Sequence, residues 1–360
     1  MNSLERAVIV TAFAAITVPL AHIARAAPGL ETFVMGTTGQ SNYPTYGVPQ
    51  PVDDQFSNFS NSLPTNPAGL AASGIAGGYR VQTSASALSL SDATAISGNG
   101  RSGFGNWNYS GSAATYASYG SLGAEAHAVH TGNSDNATVN NADAYAVVSD
   151  TINPSSPGVT VGSNGRMRLA VTVDGSLTVG GKGTAGMLLR YDYGTPSPGY
   201  PALGRSLLET FVDIYGNGYQ IYGVHSSFGS FVTPPGVAYT FGPNDASGLP
   251  TYATFGGKTT VYADIPVTFG LSADFRLGML AWAGVGNGSG MLDSGWRHTA
   301  TITGIELFDN AGKPLPDFTL TSGSGTLYTV NGVQTVVPEP SALALFALAS
   351  ACLARRRAAL

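Results

Sequence analysis

At 360 residues the chain is long enough for one large or two ordinary domains, yet only 10% of it is charged, against about 25% in typical soluble domains. Its net charge of −5, with 11 basic against 19 acidic residues between 27 and 337, argues against nucleic acid, whose phosphates must be neutralised by Lys and Arg. The single cysteine, Cys352, excludes disulfides, thiolate metal sites and thiol nucleophiles from everything before it.

Residues 1–26 read as a secretory signal peptide, written for export machinery and a signal peptidase. Arg6 stands in a short n-region opposite Glu5, and Ala7–Leu20 is an apolar run broken only by Thr11 and Thr17. Ala24-Arg25-Ala26 places small residues where the peptidase reads, so cleavage is expected after Ala26. As an anchor the run would be short, since its 14 residues span only about 21 Å as a helix.

Residues 27–337 read as one β-rich ectodomain, with 27–112 as an irregular, loop-rich edge. The stretches 37–78 and 95–112 are rich in Gly, Ser, Asn and Pro and show little periodicity. From Thr115 onward the pattern is repeatedly that of strands. Ala144–Ser149 is a candidate, and Arg168–Val173 alternates with Leu169, Val171 and Val173 on one face. Asp174-Gly175 then predicts a type I′ hairpin turn, with alternation resuming at Leu177 and Val179. Further candidates are Met187–Asp192, Leu207–Tyr215, Thr259–Asp264, Val267–Leu271, Met279–Gly284 and Thr299–Phe308. Asp309-Asn310-Ala311-Gly312 predicts another turn before Leu315–Thr321. Many short strands without a convincing helix predict an all-β fold. The expected form is a jelly-roll-like β-sandwich with long Gly/Ser/Asn-rich loops, between an N-terminal signal helix and a C-terminal hydrophobic helix.

Candidate chemistry in this region is sparse. Gly181-Lys182-Gly183-Thr184-Ala185-Gly186 matches G-x-G-x-x-G, but Met187–Asp192 is too β-like to be the helix a dinucleotide needs, so a turn or bulge is expected. Asp213, Asn217 and Gly218 fit positions 1, 5 and 6 of a calcium loop, while Tyr215 occupies position 3 and no Glu closes it. A structural calcium ion held by scattered loop oxygens stays open, without assigned ligands. Glu209 and Asp213 would lie about 13 Å apart along a strand, too far for a glycosidase pair, and read as solvated carboxylates. His127 and His130 fall on opposite faces of a strand; with His225 and His298 they form no recognisable metal or catalytic motif. Among 17 Tyr and three Trp, Trp107-Asn108-Tyr109 in a Gly/Ser loop is the best candidate for stacking on sugar rings, whereas Trp282 reads as core. No catalytic residue and no cofactor is assigned.

Residues 338–360 carry the sharpest signal. Val337-Pro338-Glu339-Pro340-Ser341 precedes the apolar run Ala342–Ala354, and Arg355-Arg356-Arg357 follows it. The two prolines fix φ and remove amide donors, holding the motif extended for a processing enzyme. The Ala/Leu run can form a helix that satisfies its own backbone in lipid, and the arginines hold its far end in the cytoplasm. Its 13 residues span about 20 Å of a core about 30 Å thick, which suits a temporary handle better than a lasting anchor.

This three-part order resembles the PEP-CTERM sorting tag. The resemblance implies cleavage near Pro338–Pro340 by exosortase, an integral-membrane cysteine protease-transpeptidase of Gram-negative bacteria, and an association with exopolysaccharide and biofilm matrix. Thr299–Thr321 is also similar to the closing strands of jelly-roll ectodomains common among PEP-CTERM proteins. The expected protein is a non-enzymatic surface or matrix component, inserted transiently in the inner membrane and then released to the cell surface or medium. A carbohydrate-binding module acting on exopolysaccharide is the alternative, and a secreted glycosidase or esterase the third reading.

Overall fold

The computed structural model describes residues 28–40, 76–102, 105–132, 138–193, 205–215, 218–222 and 235–334. Two long strands organise them. β7 (Asn164–Tyr193) and β12 (Ala273–Asp309) lie antiparallel along nearly their whole length, from Gly165 opposite Asp309 to Tyr193 opposite Phe275.

Each long strand changes its other neighbour halfway. β7 pairs first with β11 (Tyr252–Thr268) and then with β8 (Arg205–Tyr215). β12 pairs first with β6 (Thr138–Ser155) and then with β5 (Ser121–Gly132). The two halves are continued outward by shorter strands: β1 (Gly29–Gln40), β2 (Ala76–Ser84), β3 (Ser89–Ser102), β4 (Gly105–Ser118), β9 (Gly218–Tyr222) and β10 (Val237–Phe241). One layer therefore runs β10–β11–β7–β12–β5–β4–β3, and the second runs β9–β8–β7–β12–β6–β1–β2. They form one continuous antiparallel sheet folded onto itself, with β4 lying across β1 and β6.

Glycine makes the fold-over possible. The bend falls at Gly180–Gly183 on β7 and between Val285 and Gly290 on β12, where the register shifts. Gly181 has φ 81°, and a Cβ there would come within 2.3 Å of the Ser289 carbonyl oxygen. Only glycine fits a left-handed residue so close to another backbone.

Between the layers, Met167, Leu169, Val171, Val173, Leu177 and Val179 alternate along β7 and are buried. Each such side chain contributes roughly 1.5–3 kcal/mol on burial. The inward positions of β4 and β5 in the same layer, and of β6 in the other, are mostly alanine: Ala113, Ala117, Ala124, Ala126, Ala128, Ala142, Ala144 and Ala146. A second apolar cluster, Phe33, Tyr145, Val147, Leu188, Phe211, Leu280 and Trp282, occupies the other face of the second layer. Residues 183–190 are consequently buried on both faces.

The all-β sandwich expected from the sequence is what the chain forms, with two local corrections. Asp174-Gly175 is not a turn. β7 runs straight through it, and the glycine is needed because a Cβ would meet the Trp296 ring at 2.6 Å. The 95–112 stretch is not loop-dominated, since most of it lies in β3 and β4. Its periodicity is hidden because the inward positions carry Thr94, Ile96, Tyr109 and Gly111 rather than a run of large aliphatics. Residues 41–75, inside the other irregular stretch, lie outside the described residues. The Asp309–Gly312 turn is present: the Asp309 side chain accepts from the amides of Ala311 (2.9 Å) and Lys313 (2.8 Å), and β13 (Pro314–Leu315) folds back on β12.

Candidate functional site

The outward face of the first layer carries a shallow bay. Strand register places Tyr262 of β11 beside Ala170 of β7, and Ala170 beside Gly304 of β12. The two small residues leave an open floor next to a tyrosine that is 59% exposed. Along one margin the hydroxyls of Thr260, Thr172 and Thr303 form a rung, with separations of 3.0 and 2.8 Å. Along the other, Arg168 donates from Nε and Nη2 to both oxygens of Asp264 at 2.8 and 3.0 Å, and Arg166 adds a third contact at 3.3 Å.

Planar cations and rings reinforce that margin. The Arg168 guanidinium lies 5.6 Å from the Tyr262 ring centroid, and that of Arg166 sits 4.4 Å over Phe308. The hydrogen bond from Arg168 is the largest influence on Asp264 and holds its carboxyl below the usual range, so it is an ionised acceptor and a poor general acid. On the far side the Val330 carbonyl lies 3.5 Å from where a Cβ on Gly304 would stand. The result is a flat floor, one presented ring, and hydroxyl, guanidinium and carboxylate groups around it. Such a surface can stack on the apolar face of a sugar and bond its hydroxyls.

The second feature is the seat of the last strands. β14 (Thr319–Ser322) pairs with β6, and β15 (Leu327–Thr329) pairs with β16 (Gly332–Gln334). The fully buried Asp150 ties this segment to the sandwich. It accepts from the Thr151 amide (2.8 Å), the Ser324 amide (3.0 Å), the Ser324 hydroxyl (2.5 Å) and the Tyr328 hydroxyl (2.8 Å). A buried carboxylate is tolerated when donors surround it in this way. Burial, with Asp150 adding to it, pushes the Tyr328 phenol well above its ordinary range, so it remains a donor. The chain is thus fixed as far as Gln334, four residues before Pro338.

The other candidates are dispersed. Trp107 lies in β4, half-buried, stacked on buried His130 with ring centroids 6.0 Å apart. Tyr109 is 2% exposed, so of the expected Trp107/Tyr109 pair its ring is not presented to solvent, whereas Tyr262 is 59% exposed. Trp282 is core, as expected. His127 and His130 do take opposite faces of β5. G-x-G-x-x-G is the bend of β7, with no helix after it. Asp213 pairs mid-strand with Gln220 in the β8–β9 hairpin and Gly218 opens β9, while Asn217 lies outside the described residues. Glu209 is buried, not solvated. Among the described residues no group of three His, Cys, Asp or Glu is placed to hold a metal ion.

Ala24, Ala26, the motif Val337–Ser341 and Arg355, Arg356 and Arg357 lie outside the described residues. Residues 336–358 match the PEP-CTERM protein-sorting motif. No curated protein and no solved structure matches the chain. The motif supports an exported protein that passes through a membrane-anchored stage and is processed by exosortase.

Proposed function

We propose that the chain is a non-enzymatic surface or biofilm-matrix protein of a Gram-negative bacterium. It is exported behind the 1–26 signal, held for a time in the inner membrane by Ala342–Ala354, and released by exosortase near Pro338–Pro340. The observation that carries this reading is the sorting motif, which begins two residues beyond β16, the strand paired with the β15 that Asp150 fastens through Tyr328. Two of the described acids fit a non-catalytic role: Asp150 is surrounded by donors and Asp264 is held by arginines. Intact mass of the exported protein tests the release. The expected species lacks the tail beyond Pro338–Pro340, and a chain still ending at Leu360 in the membrane would replace release with permanent anchoring.

The bay at Tyr262 favours a second reading, in which the released sandwich holds on to exopolysaccharide. It adds a ligand to the first reading without changing the export route.

A further inference from the structure

We infer that the apolar groove between β14 and β15 is a docking surface for exosortase, separate from the sorting motif that the enzyme cuts. The inference rests on the exosortase reading given above.

The groove has a volume of about 280 Å³ and is lined by Phe318, Leu320, Leu327, Tyr328 and Val330, with two threonines, Thr319 and Thr329, among them. Leu327 is 40% exposed and Val330 53% exposed. From Phe318 to Val337 the chain carries no charged residue, so this surface can be dried by a partner without burying an ion.

Its position follows from the tether. Leu327 pairs with Gln334, so the groove borders the point where the tail leaves. Pro338 is four residues further, within at most about 14 Å even in extended chain. A strand of 12 residues in this sandwich is about 40 Å long. An enzyme that draws Pro338–Pro340 into its active centre therefore draws the folded body against itself. No linker holds the body away, and the face it must present is the one around Gln334. The bilayer is a weaker candidate, because the apolar run begins at Ala342, eight residues from Gln334 and about twice as far along the chain.

The test follows tail removal over time in exosortase-containing cells, by intact mass, for full-length chains. Leu327→Ser with Val330→Asn is expected to slow removal about fivefold while the released body keeps its Tm. A flexible insert of about 15 Gly/Ser residues after Gln334 should shrink the effect of that double change below about twofold, because the body can then swing clear. Unchanged removal in the double variant, with Glu339→Ala still blocking it, would overturn the docking surface and leave the exosortase reading standing. Normal removal in Glu339→Ala would overturn both. The released wild-type protein is also mixed with phosphatidylethanolamine/phosphatidylglycerol vesicles. Binding there that the double change abolishes would give the groove to lipid and overturn the enzyme assignment.

Discussion

Asp143 sits on the outer face of the second layer, between Met35 of β1 and Trp282 of β12 in register, and is 8% exposed. Among the described residues no hydrogen bond or ion pair compensates its charge, and burial pushes its carboxyl up to about 7. A raised carboxyl favours the protonated folded state. Stability from this group is therefore full below its unfolded value near 3.8 and is lost as pH rises through about 7. The full loss is on the order of 4 kcal/mol as an upper bound. Asp143→Asn is accordingly expected to raise Tm by several degrees at about pH 8 and to change it little at about pH 4, by calorimetry. An equal gain at both pH values would mean that the amide acts through packing instead. Asp264 has the opposite sign, with stability lost as pH falls, but its side chain is 40% exposed, so screening leaves the pair well under about 1 kcal/mol. The same dependence on surroundings explains why the exposed aromatic was misplaced in the sequence. Tyr109 and Tyr262 both lie in strands, and only the parity of each against a core decides which one faces water. The large aliphatics flanking Tyr262, Val261 and Ile265, declare that parity, whereas the glycines and serines around Tyr109 do not.

At the scale of elements, strands with Val, Leu and Ile inward were legible and strands with alanine or glycine inward were not. The β7 positions Leu169, Val171 and Val173 announce a period of two, and the structure keeps it. The strand length was not legible. Asp174-Gly175 has the chemistry of a turn, but β11 and β12 supply partners on both sides and the ladder continues through it. The true bend lies six residues later, where both long strands turn glycine-rich. Gly181→Ala tests that assignment: left-handed backbone and a 2.3 Å approach to the Ser289 oxygen should together cost on the order of 2–4 kcal/mol. Gly158 has a similar φ of 80° with nothing within 4 Å of an added Cβ, so Gly158→Ala should cost only about 1–2 kcal/mol. Urea unfolding midpoints compare the two. Equal losses would show that the close approach at the bend contributes nothing.

Across the whole molecule, the fold-over brings the tail's seat and the Tyr262 bay to a shared border, because Val330 of the tail segment leans over Gly304 on the bay floor. A polymer lying along the bay would pass the β15–β16 hairpin, the last described part of the chain. The bay's charges are largely satisfied internally: Asp264 takes up both arginines, and the threonines bond one another. Recognition there should depend on ring stacking and hydroxyls rather than on net charge, and should weaken less than about twofold in about 0.5 M salt. A stacked ring lost from such a surface is worth roughly 1.4 kcal/mol, which is tenfold in affinity. Tyr262→Ala is therefore expected to reduce binding of the released protein to purified exopolysaccharide about tenfold. Its Tm should hold, since the ring is 59% exposed. Trp107→Ala should do the reverse, lowering Tm through loss of its packing on His130 and leaving binding intact. Binding that follows Trp107 and ignores Tyr262 would move the glycan surface to the β4 edge and empty the bay of its role.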